Sequence, residues 1–361
     1  MLNIAEIEMG EEEINAAVDV LRSGKLCEGE KCAEFEKEFA KLVGAKYATT
    51  CSSGTTALHT AFLNLIEPGD EVLIPAITFF ATAAMVIYAG GVPVFCDIDP
   101  KTYCIDISDA RNKLTKKTRA IAPVHLFGNA CDIDEVNKLA KEHDLKIIFD
   151  AAQAHLTKYK DADVGSFGDA VCYSFYATKN MTTGGEGGMI VSNSDEFIKQ
   201  CILLKRQGQQ KKYYHTITGT NYRMTDMQAA VGLAQLKKLP EFTRKRQTNA
   251  DQLDTELKAL PQIITPYVAP ETTHSYHQYT IQLPPEVNRD KFVQALKDRQ
   301  IGSGINYPTP LHQQPALKQY SPGNIIEAEQ FSTRCVSLPV HPKVGPDDVK
   351  KIASATRELL A

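Results

Sequence analysis

A single lysine, Lys179, lies between an apolar run and a glycine-rich stretch in the sequence SFYATKNMTTGGEGGMI at residues 174–190. The chain has 40 lysines and arginines, and most such side chains in proteins are solvated and take no part in chemistry. A reactive amine needs other functional groups that reach the same place from elsewhere in the chain. The glycines at 184–188 would keep bulky side chains away from this amine and allow backbone angles closed to other residues.

Candidates for those groups directly follow several apolar runs. Asp150 ends the run KIIFD, and a carboxylate there needs a partner because burying an unpaired charge is costly. Gly54 and Thr55 would open a helix whose free N–H groups suit a phosphate, although a simple helix cap explains SGT equally well. Ser174 is a second phosphate donor, and Phe79 is either a platform for a flat ligand or a core residue. Together these groups meet the needs of pyridoxal 5′-phosphate (PLP).

Short apolar runs recur between helix-like stretches, and this alternation sets the fold class. The runs are EVLIP (71–75), VPVFCDI (92–98), RAIAPVHL (119–126), KIIFD (146–150), AVCYSF (170–175) and GMIV (188–191). Amphipathic stretches such as residues 132–143 lie between several of them. The pattern predicts an α/β protein with a mostly parallel sheet, in which ligands bind beyond the carboxyl ends of the strands.

The pattern of apolar and charged residues changes near residue 240, where a long charged helical stretch begins. An alternating strand at 277–283 and an amphipathic helix near 288–299 follow it. We therefore predict a large domain over residues 13–240 and a smaller α+β domain over 241–361, with residues 1–12 packing on either. The basic cluster RKR at 244–246 is interpreted as a solvated face of the helix.

Composition excludes several classes of function. The 361 residues carry a net charge of −4 and no basic block, which argues against binding to nucleic acid or an anionic membrane. Nine scattered cysteines without a CxxC pair favour neither a disulfide framework nor a metal site. Residues 74–96 are uncharged, but their prolines and glycines divide them into a helix and a strand, not a membrane span. The acidic N-terminus does not follow the order of a signal peptide, so we expect a cytoplasmic protein.

Several motifs, in a shared order along nearly the whole chain, resemble the DegT/DnrJ/EryC1/StrS family of PLP-dependent sugar aminotransferases. They are EFEKEFA (34–40), SSGTTAL (52–58), GDEVLIPAITFFAT (69–82), TRAIAPVHLFG (118–128), FDAAQA (149–154), SFYATKN (174–180), TTGGEGGMI (182–190), TNYRMTDMQAAVGLAQL (220–236) and YPTPLH (307–312). The resemblance implies the type I fold of aspartate aminotransferase. That fold has a large domain with a mostly parallel seven-stranded sheet and a smaller C-terminal α+β domain.

The resemblance also implies roles for the catalytic and cofactor-binding residues. Lys179 would form the Schiff base with PLP and then serve as acid and base in the proton shift. Asp150 would pair with the pyridine nitrogen, and Gln153 would bond the phenolic oxygen. The remaining contacts would be stacking by Phe79, a phosphate cradle from Gly54, Thr55 and Ser174, and a phosphate contact from Asn221 of a neighbouring subunit. That last contact implies a homodimer with shared active sites.

Substrate contacts follow less directly from the resemblance. Arg223 is a candidate for binding the substrate diphosphate, and an interface ion pair is an equally good interpretation. Tyr307 and His312 are further candidates for substrate binding. The family often has histidine where this chain has Asn306, which puts the sugar contact at that position in question. We assign no role to His155.

The sequence predicts a PLP-dependent aminotransferase that moves an amino group, from L-glutamate, to a keto carbon of a nucleotide-linked sugar in a ping-pong reaction. An aminotransferase for a cyclitol or another cyclic ketone and a non-catalytic regulator remain open alternatives. A sugar dehydratase is disfavoured because related dehydratases replace the lysine with histidine. A nicotinamide-dependent oxidoreductase is disfavoured because no GxGxxG motif follows an early strand.

Overall fold

The computed structural model describes residues 1–360, and its main feature is a seven-stranded sheet. The strands of the chain are β1 (Tyr47–Cys51), β2 (Glu71–Pro75), β3 (Val92–Cys96), β4 (Thr118–Ile121), β5 (Lys146–Asp150), β6 (Lys158–Tyr159), β7 (Ala162–Asp163), β8 (Ala170–Ser174), β9 (Gly188–Ser192), β10 (Gln209–Lys211), β11 (Tyr214–His215), β12 (Tyr279–Gln282) and β13 (Cys335–Leu338).

Eleven α-helices are formed within residues 1–360. They are α1 (Glu11–Ser23), α2 (Glu30–Leu42), α3 (Gly54–Leu65), α4 (Phe80–Tyr88), α5 (Ile107–Asn112), α6 (Ile133–His143), α7 (Asp195–Lys205), α8 (Asp226–Leu257), α9 (Arg289–Asp298), α10 (Ile326–Arg334) and α11 (Pro346–Leu360).

The large sheet has the strand order β1-β9-β8-β5-β4-β2-β3. Strand β9 is antiparallel to both of its neighbours, and the other neighbouring strands are parallel. The predicted α/β fold with a mostly parallel seven-stranded sheet is therefore confirmed. The uncharged stretch at 74–96 forms helix α4 and strand β3, as the sequence predicted.

The central strands are apolar throughout because both faces of the sheet are covered. Successive residues point to opposite faces, so Val72 and Ile74 join one core cluster and Leu73 joins another. Ile148 and Phe149 of β5 divide in the same way. Packing on both faces holds the carboxyl ends of the strands rigidly, and the side chains that follow these ends are therefore held in fixed positions.

The C-terminal part has its own small core around the two-stranded sheet of β12 and β13. Helix α8 runs without interruption through Pro240, so the predicted boundary at 240/241 lies inside a single helix. At the N-terminus, the backbone of Leu2 bonds with Gln300 and Gly302 of the C-terminal part. The division into two domains stays a prediction.

The interpretation of residues 244–246 as a solvated face is wrong for Arg246. Its side chain is buried, and its Nη1 donates to the carbonyl oxygens of Tyr276 and His277 at 3.1 and 3.3 Å. Those carbonyls lie in the segment that enters β12. A helix of 32 residues touches several parts of the protein, and the charge pattern alone does not reveal that this face is covered.

Two further features bear on function. No helix within residues 1–360 is long and apolar enough to cross a membrane. All nine cysteines are free thiols, and residues 1–360 contain no cluster of histidine, cysteine or carboxylate side chains suited to a metal ion.

Candidate active site

The candidate site lies at the carboxyl edge of the large sheet, where β5 and β8 end. Lys179 lies in the connection between β8 and β9, five residues beyond Ser174. Because β8 and β9 are antiparallel neighbours, this connection begins and ends at the same edge of the sheet. The lysine therefore lies in a segment that leaves and rejoins the sheet at the carboxyl end of β8.

Asp150, the last residue of β5, is buried with 4% of its surface exposed. Its Oδ2 accepts a hydrogen bond from Thr82 Oγ1 at 2.9 Å, and its Oδ1 accepts one from the Ala152 amide at 3.0 Å. Burial raises the pKa of this carboxyl, while the two hydrogen bonds and the positive charge of Lys179 act in the opposite direction. Both of these hydrogen-bond donors are neutral, so the carboxylate can also accept a positively charged partner.

Lys179 is electrostatically coupled to Asp150 without forming a hydrogen bond to it. Removal from water lowers the pKa of the lysine to about 8, and the Asp150 carboxylate partly counters that effect. An amine with this pKa is neutral more often near physiological pH than a solvated lysine. Such an amine suits both nucleophilic attack on a carbonyl and proton transfer.

The first turn of α3 approaches the end of β8 unusually closely. A Cβ atom on Gly54 would lie 2.6 Å from Ser174 Cβ, and one on Gly188 would lie 2.2 Å from the Ser53 carbonyl oxygen. Ser53 caps the helix by accepting from the Thr56 amide, and Thr55 is half-buried in the first turn. Helix N–H groups and a strand-end hydroxyl thus lie side by side, which is the arrangement that a phosphate requires.

Gln153 and Tyr307 bring the C-terminal part of the chain to the same site. Gln153 Nε2 donates to the Tyr307 hydroxyl at 3.1 Å, and its Oε1 accepts from the Phe127 amide at 2.7 Å. The rings of Phe79 and Tyr307 lie 6.3 Å apart, and Phe79 is 57% exposed. Phe79 is therefore a ring at the mouth of the site and not a core residue.

Asn221 and Arg223 lie together on an exposed loop before α8, where Arg223 Nε donates to Asn221 Oδ1 at 2.8 Å. The loop is tied to the segment that enters α3 because the Ser52 amide donates to the Tyr222 carbonyl at 2.9 Å. Their exposure leaves both side chains available to another molecule. Their predicted roles toward a partner subunit and a diphosphate stay predictions.

His312 is the candidate that the structure places least favourably. Its side chain is 1% exposed, and its Nε2 lies 3.0 Å from Glu329 Oε1. The adjacent Leu311 amide donates to the carbonyl of Ala76 beyond β2, so the segment is anchored near the sheet edge. A role for His312 in substrate binding stays a prediction.

Sequence reasoning missed Thr82, the side chain that holds Asp150. Thr82 is fully buried in the first turn of α4, and it also lies 3.2 Å from Thr78 Oγ1. No local pattern points to this contact, because Thr82 and Asp150 are 68 residues apart in the sequence. His155 is also buried, with its ring 5.7 Å from that of Phe175, and burial lowers its pKa to about 3.

Comparison with known proteins places this geometry in a family. Residues 7–357 match the DegT/DnrJ/EryC1/StrS aminotransferase family. The chain belongs to this family. Membership confirms the predicted resemblance and the predicted activity class, that of an aminotransferase.

Members of the DegT/DnrJ/EryC1/StrS family with similar sequences include proteins with different names. GDP-perosamine synthase from Caulobacter vibrioides is 37% identical to this chain, covering 92% of this chain and 91% of the relative. A pleiotropic regulatory protein from Geobacillus stearothermophilus is 38% identical, covering 99% and 98%. The X-ray structure of DesV from S. venezuelae, in complex with a ketimine intermediate, has a TM-score of 0.93 and 34% identity, covering 96% and 94%.

Proposed function

We propose that this aminotransferase uses PLP to move an amino group, from L-glutamate, to a keto carbon of a nucleotide-linked sugar. The observation that carries the proposal is that Lys179 and the buried carboxylate of Asp150 lie within electrostatic range of each other at the carboxyl edge of the sheet. Family membership and the name of the GDP-perosamine synthase relative support the reaction and the class of sugar.

The donor set fits PLP at both ends of the cofactor. At one end, the hydrogen-bond donors to the Asp150 carboxylate are neutral, and a protonated pyridine nitrogen would add a positive charge beside it. At the other end, Gly54 leaves room for the α3 N-terminus and Ser174 to meet around a phosphate. When bound, PLP supplies an electron sink for the bond that breaks next to the transferred nitrogen.

Asp150 has one task, which is to keep the ring nitrogen protonated. Its burial makes the carboxylate a strong partner for a positive charge, because little water competes for it. The hydrogen bonds from Thr82 and Ala152 fix the orientation of both carboxylate oxygens before the cofactor arrives.

Lys179 would hold the cofactor and would accept and donate a proton at its Nζ. With a pKa of about 8, roughly a tenth of the amine is neutral at pH 7, compared with well under a thousandth for a solvated lysine. The loop between β8 and β9 contains Gly184 and Gly185, both with positive φ, which gives the segment turns that side-chain-bearing residues rarely adopt.

Two substrates take turns in one site in this scheme. L-Glutamate would bind first and leave as 2-oxoglutarate, and the ketosugar would then bind at the same place and leave as the aminosugar. Phe79 and Tyr307 would border the ring and sugar, and Arg223 would contact the diphosphate. Because Arg223 and Asn221 are exposed on their own subunit, we propose that they complete the site of a second copy in a homodimer.

A first experiment tests the cofactor. Purified protein mixed with PLP is expected to gain a visible absorption band that Lys179→Ala abolishes and that the exposed-lysine control Lys199→Ala retains. Loss of transamination should follow the same pattern. An unchanged band in Lys179→Ala would contradict the role given to this residue.

A second experiment tests the substrate. The enzyme is incubated with ¹⁵N-labelled L-glutamate and a panel of ketosugar nucleotides and free cyclic ketones, and nitrogen transfer is followed by mass spectrometry. Transfer to a nucleotide-linked sugar is expected. Turnover confined to free cyclic ketones would replace the proposed substrate class with the cyclitol alternative.

A regulatory function is the second candidate, because the pleiotropic regulatory protein is 38% identical to this chain. The two candidates differ in turnover. A regulator would bind PLP without moving nitrogen to any member of the panel, whereas the proposed enzyme turns over many times for each site.

A further inference from the structure

A fully buried lysine outside the candidate active site, Lys205, lies at the end of α7. Its Nζ donates to the carbonyl oxygen of Thr50 at 2.6 Å and lies 2.5 Å from Glu28 Oε1. Glu36 Oε1 is 3.5 Å away and accepts from both the amide and the hydroxyl of Thr50, at 2.7 and 2.8 Å. One lysine thus joins the chain before α2, helix α2 and the exit of β1.

The charges in this cluster balance. Arg206 Nε lies 2.9 Å from Glu28 Oε2, so two cations face the carboxylates of Glu28 and Glu36. Burial alone would raise the pKa of Glu28, but its contacts with Lys205 and Arg206 outweigh that effect and lower it. Buried pairs of this kind contribute little net stability, although removing one partner is costly. The Lys205 cluster therefore matters more for the positions of the segments that it joins than for the free energy of unfolding.

Hydrogen bonds around Lys205 form a closed ring. The Lys205 ammonium holds the Thr50 carbonyl, and the Lys205 carbonyl accepts from the Tyr222 amide at 3.2 Å. The Tyr222 carbonyl in turn accepts from the Ser52 amide, two residues beyond Thr50, at 2.9 Å. The ring thereby fixes β1's exit relative to the loop that carries Tyr222.

Two segments of this ring adjoin residues that are predicted to contact phosphate. Ser52 continues directly through Ser53 into Gly54 and Thr55, and Tyr222 lies between Asn221 and Arg223. Asn221 also forms an isolated antiparallel β-bridge with Arg206, the residue after Lys205. A shift at Lys205 would therefore move the N-terminus of α3 and the exposed loop together.

We infer that Lys205 is a positioning residue for phosphate binding: it holds the start of α3, which would face the phosphate of its own subunit, and the Asn221–Arg223 loop, which would reach the site of a second copy, in one fixed arrangement. This inference rests on the proposed function. Lys205 touches neither the cofactor nor the substrate in this scheme, and its effect passes through Thr50, Ser52 and Tyr222.

The test compares cofactor affinities of Lys205→Met with those of the wild type. Affinities for PLP and for pyridoxal, which lacks the phosphate, are measured by absorbance titration of the cofactor-free protein. We expect the dissociation constant for PLP to rise about tenfold or more, since one buried charge-assisted contact is lost. The constant for pyridoxal should change by less than about twofold.

Three further variants separate positioning from folding. Lys205→Arg keeps the charge and should recover most of the PLP affinity, while Lys199→Met on the exposed face of α7 should resemble the wild type. Lys205→Met/Glu36→Gln removes one charge of each sign, so the buried cluster stays balanced while the ring remains broken. This double variant should fold, as judged by circular dichroism, and should still bind PLP weakly.

Selective loss of PLP affinity in both Met-containing variants at position 205 supports the inference. Equal losses for PLP and pyridoxal, or an unchanged PLP affinity in the folded double variant, would overturn it. If the wild type itself forms no band with PLP, the proposed function fails as well, and that result is visible before any variant at position 205 is compared.

Discussion

The close contact between Gly54 and Ser174 leads to a quantitative prediction for Gly54→Ala. The new Cβ would lie 2.6 Å from Ser174 Cβ, 3.1 Å from its Oγ and 3.2 Å from its Cα. Overpacking of this kind costs about 1–3 kcal/mol, and we expect the upper half because a strand backbone cannot rotate away. Helix propensity returns at most about 1 kcal/mol. The free energy of unfolding should therefore fall by about 1–2 kcal/mol.

Cofactor binding should fall with it, because the relaxed α3 displaces the N–H groups that face the phosphate. Stability is measured by urea unfolding of the cofactor-free protein, and affinity by absorbance titration with PLP. Gly345→Ala is a matched control, since Gly345 also lies at the start of a helix and its new Cβ would meet nothing closer than 3.8 Å.

A pair of second-site changes tests whether the clash is the cause. Ser174→Gly removes the opposing Cβ, whereas Ser174→Ala keeps it. The stability cost of Gly54→Ala should therefore nearly vanish in the Ser174→Gly background and persist in the Ser174→Ala background. Equal costs in the two backgrounds would refute the steric explanation, whatever happens to the affinity.

Three other measurements follow from the electrostatics of the chain. Asp150→Asn should still bind PLP but lose about a hundredfold or more in transamination rate, and a loss under tenfold would contradict the role of this carboxylate. The rate at which cofactor-free protein gains its visible band should rise with pH around a midpoint near 8, because only the neutral Lys179 amine reacts; a midpoint above 10 would indicate a solvated lysine. Burial raises the pKa of Asp163 to about 7, so the folded state holds a proton that the unfolded state releases near pH 4, and the contribution of this group to stability should fall as pH rises through this window by up to about 1.4 kcal/mol per unit. Asp163→Asn should shift the measured slope of unfolding free energy against pH in the positive direction, and a slope equal to that of the wild type would exclude a contribution from this group.

The sheet and the residues at its edge were predictable because local sequence carries most of their information. Strands β2 and β5 have the predicted bounds, since an apolar run bounded by charges can hardly be anything but a strand buried on both faces. Lys179 and Asp150 followed from being the polar groups that come just after such runs. Gly54 followed from the helix start that it opens.

Contacts between distant segments could not be read in the same way. Thr82 reaches Asp150 across 68 positions of sequence, and Gln153 reaches Tyr307 across 154, so no local pattern announces either pair. Arg246 looks solvated from its neighbours and is buried because a separate segment covers it. Lys205 is hidden for the same reason, because its partners are far away in the chain.

Because β9 is antiparallel to β8, the segment that carries Lys179 can vary in length more freely than a crossover connection could. Neighbouring parallel strands need a crossover connection, usually a helix, that runs back along the strand. The connection therefore needs a minimum number of residues. The segment between Ser174 and Gly188 does not cross the sheet, because these two residues pair with each other at the same edge. Residues inserted or deleted within it would leave the order of all seven strands unchanged, so the reach of the amine can be retuned independently of the scaffold beneath it.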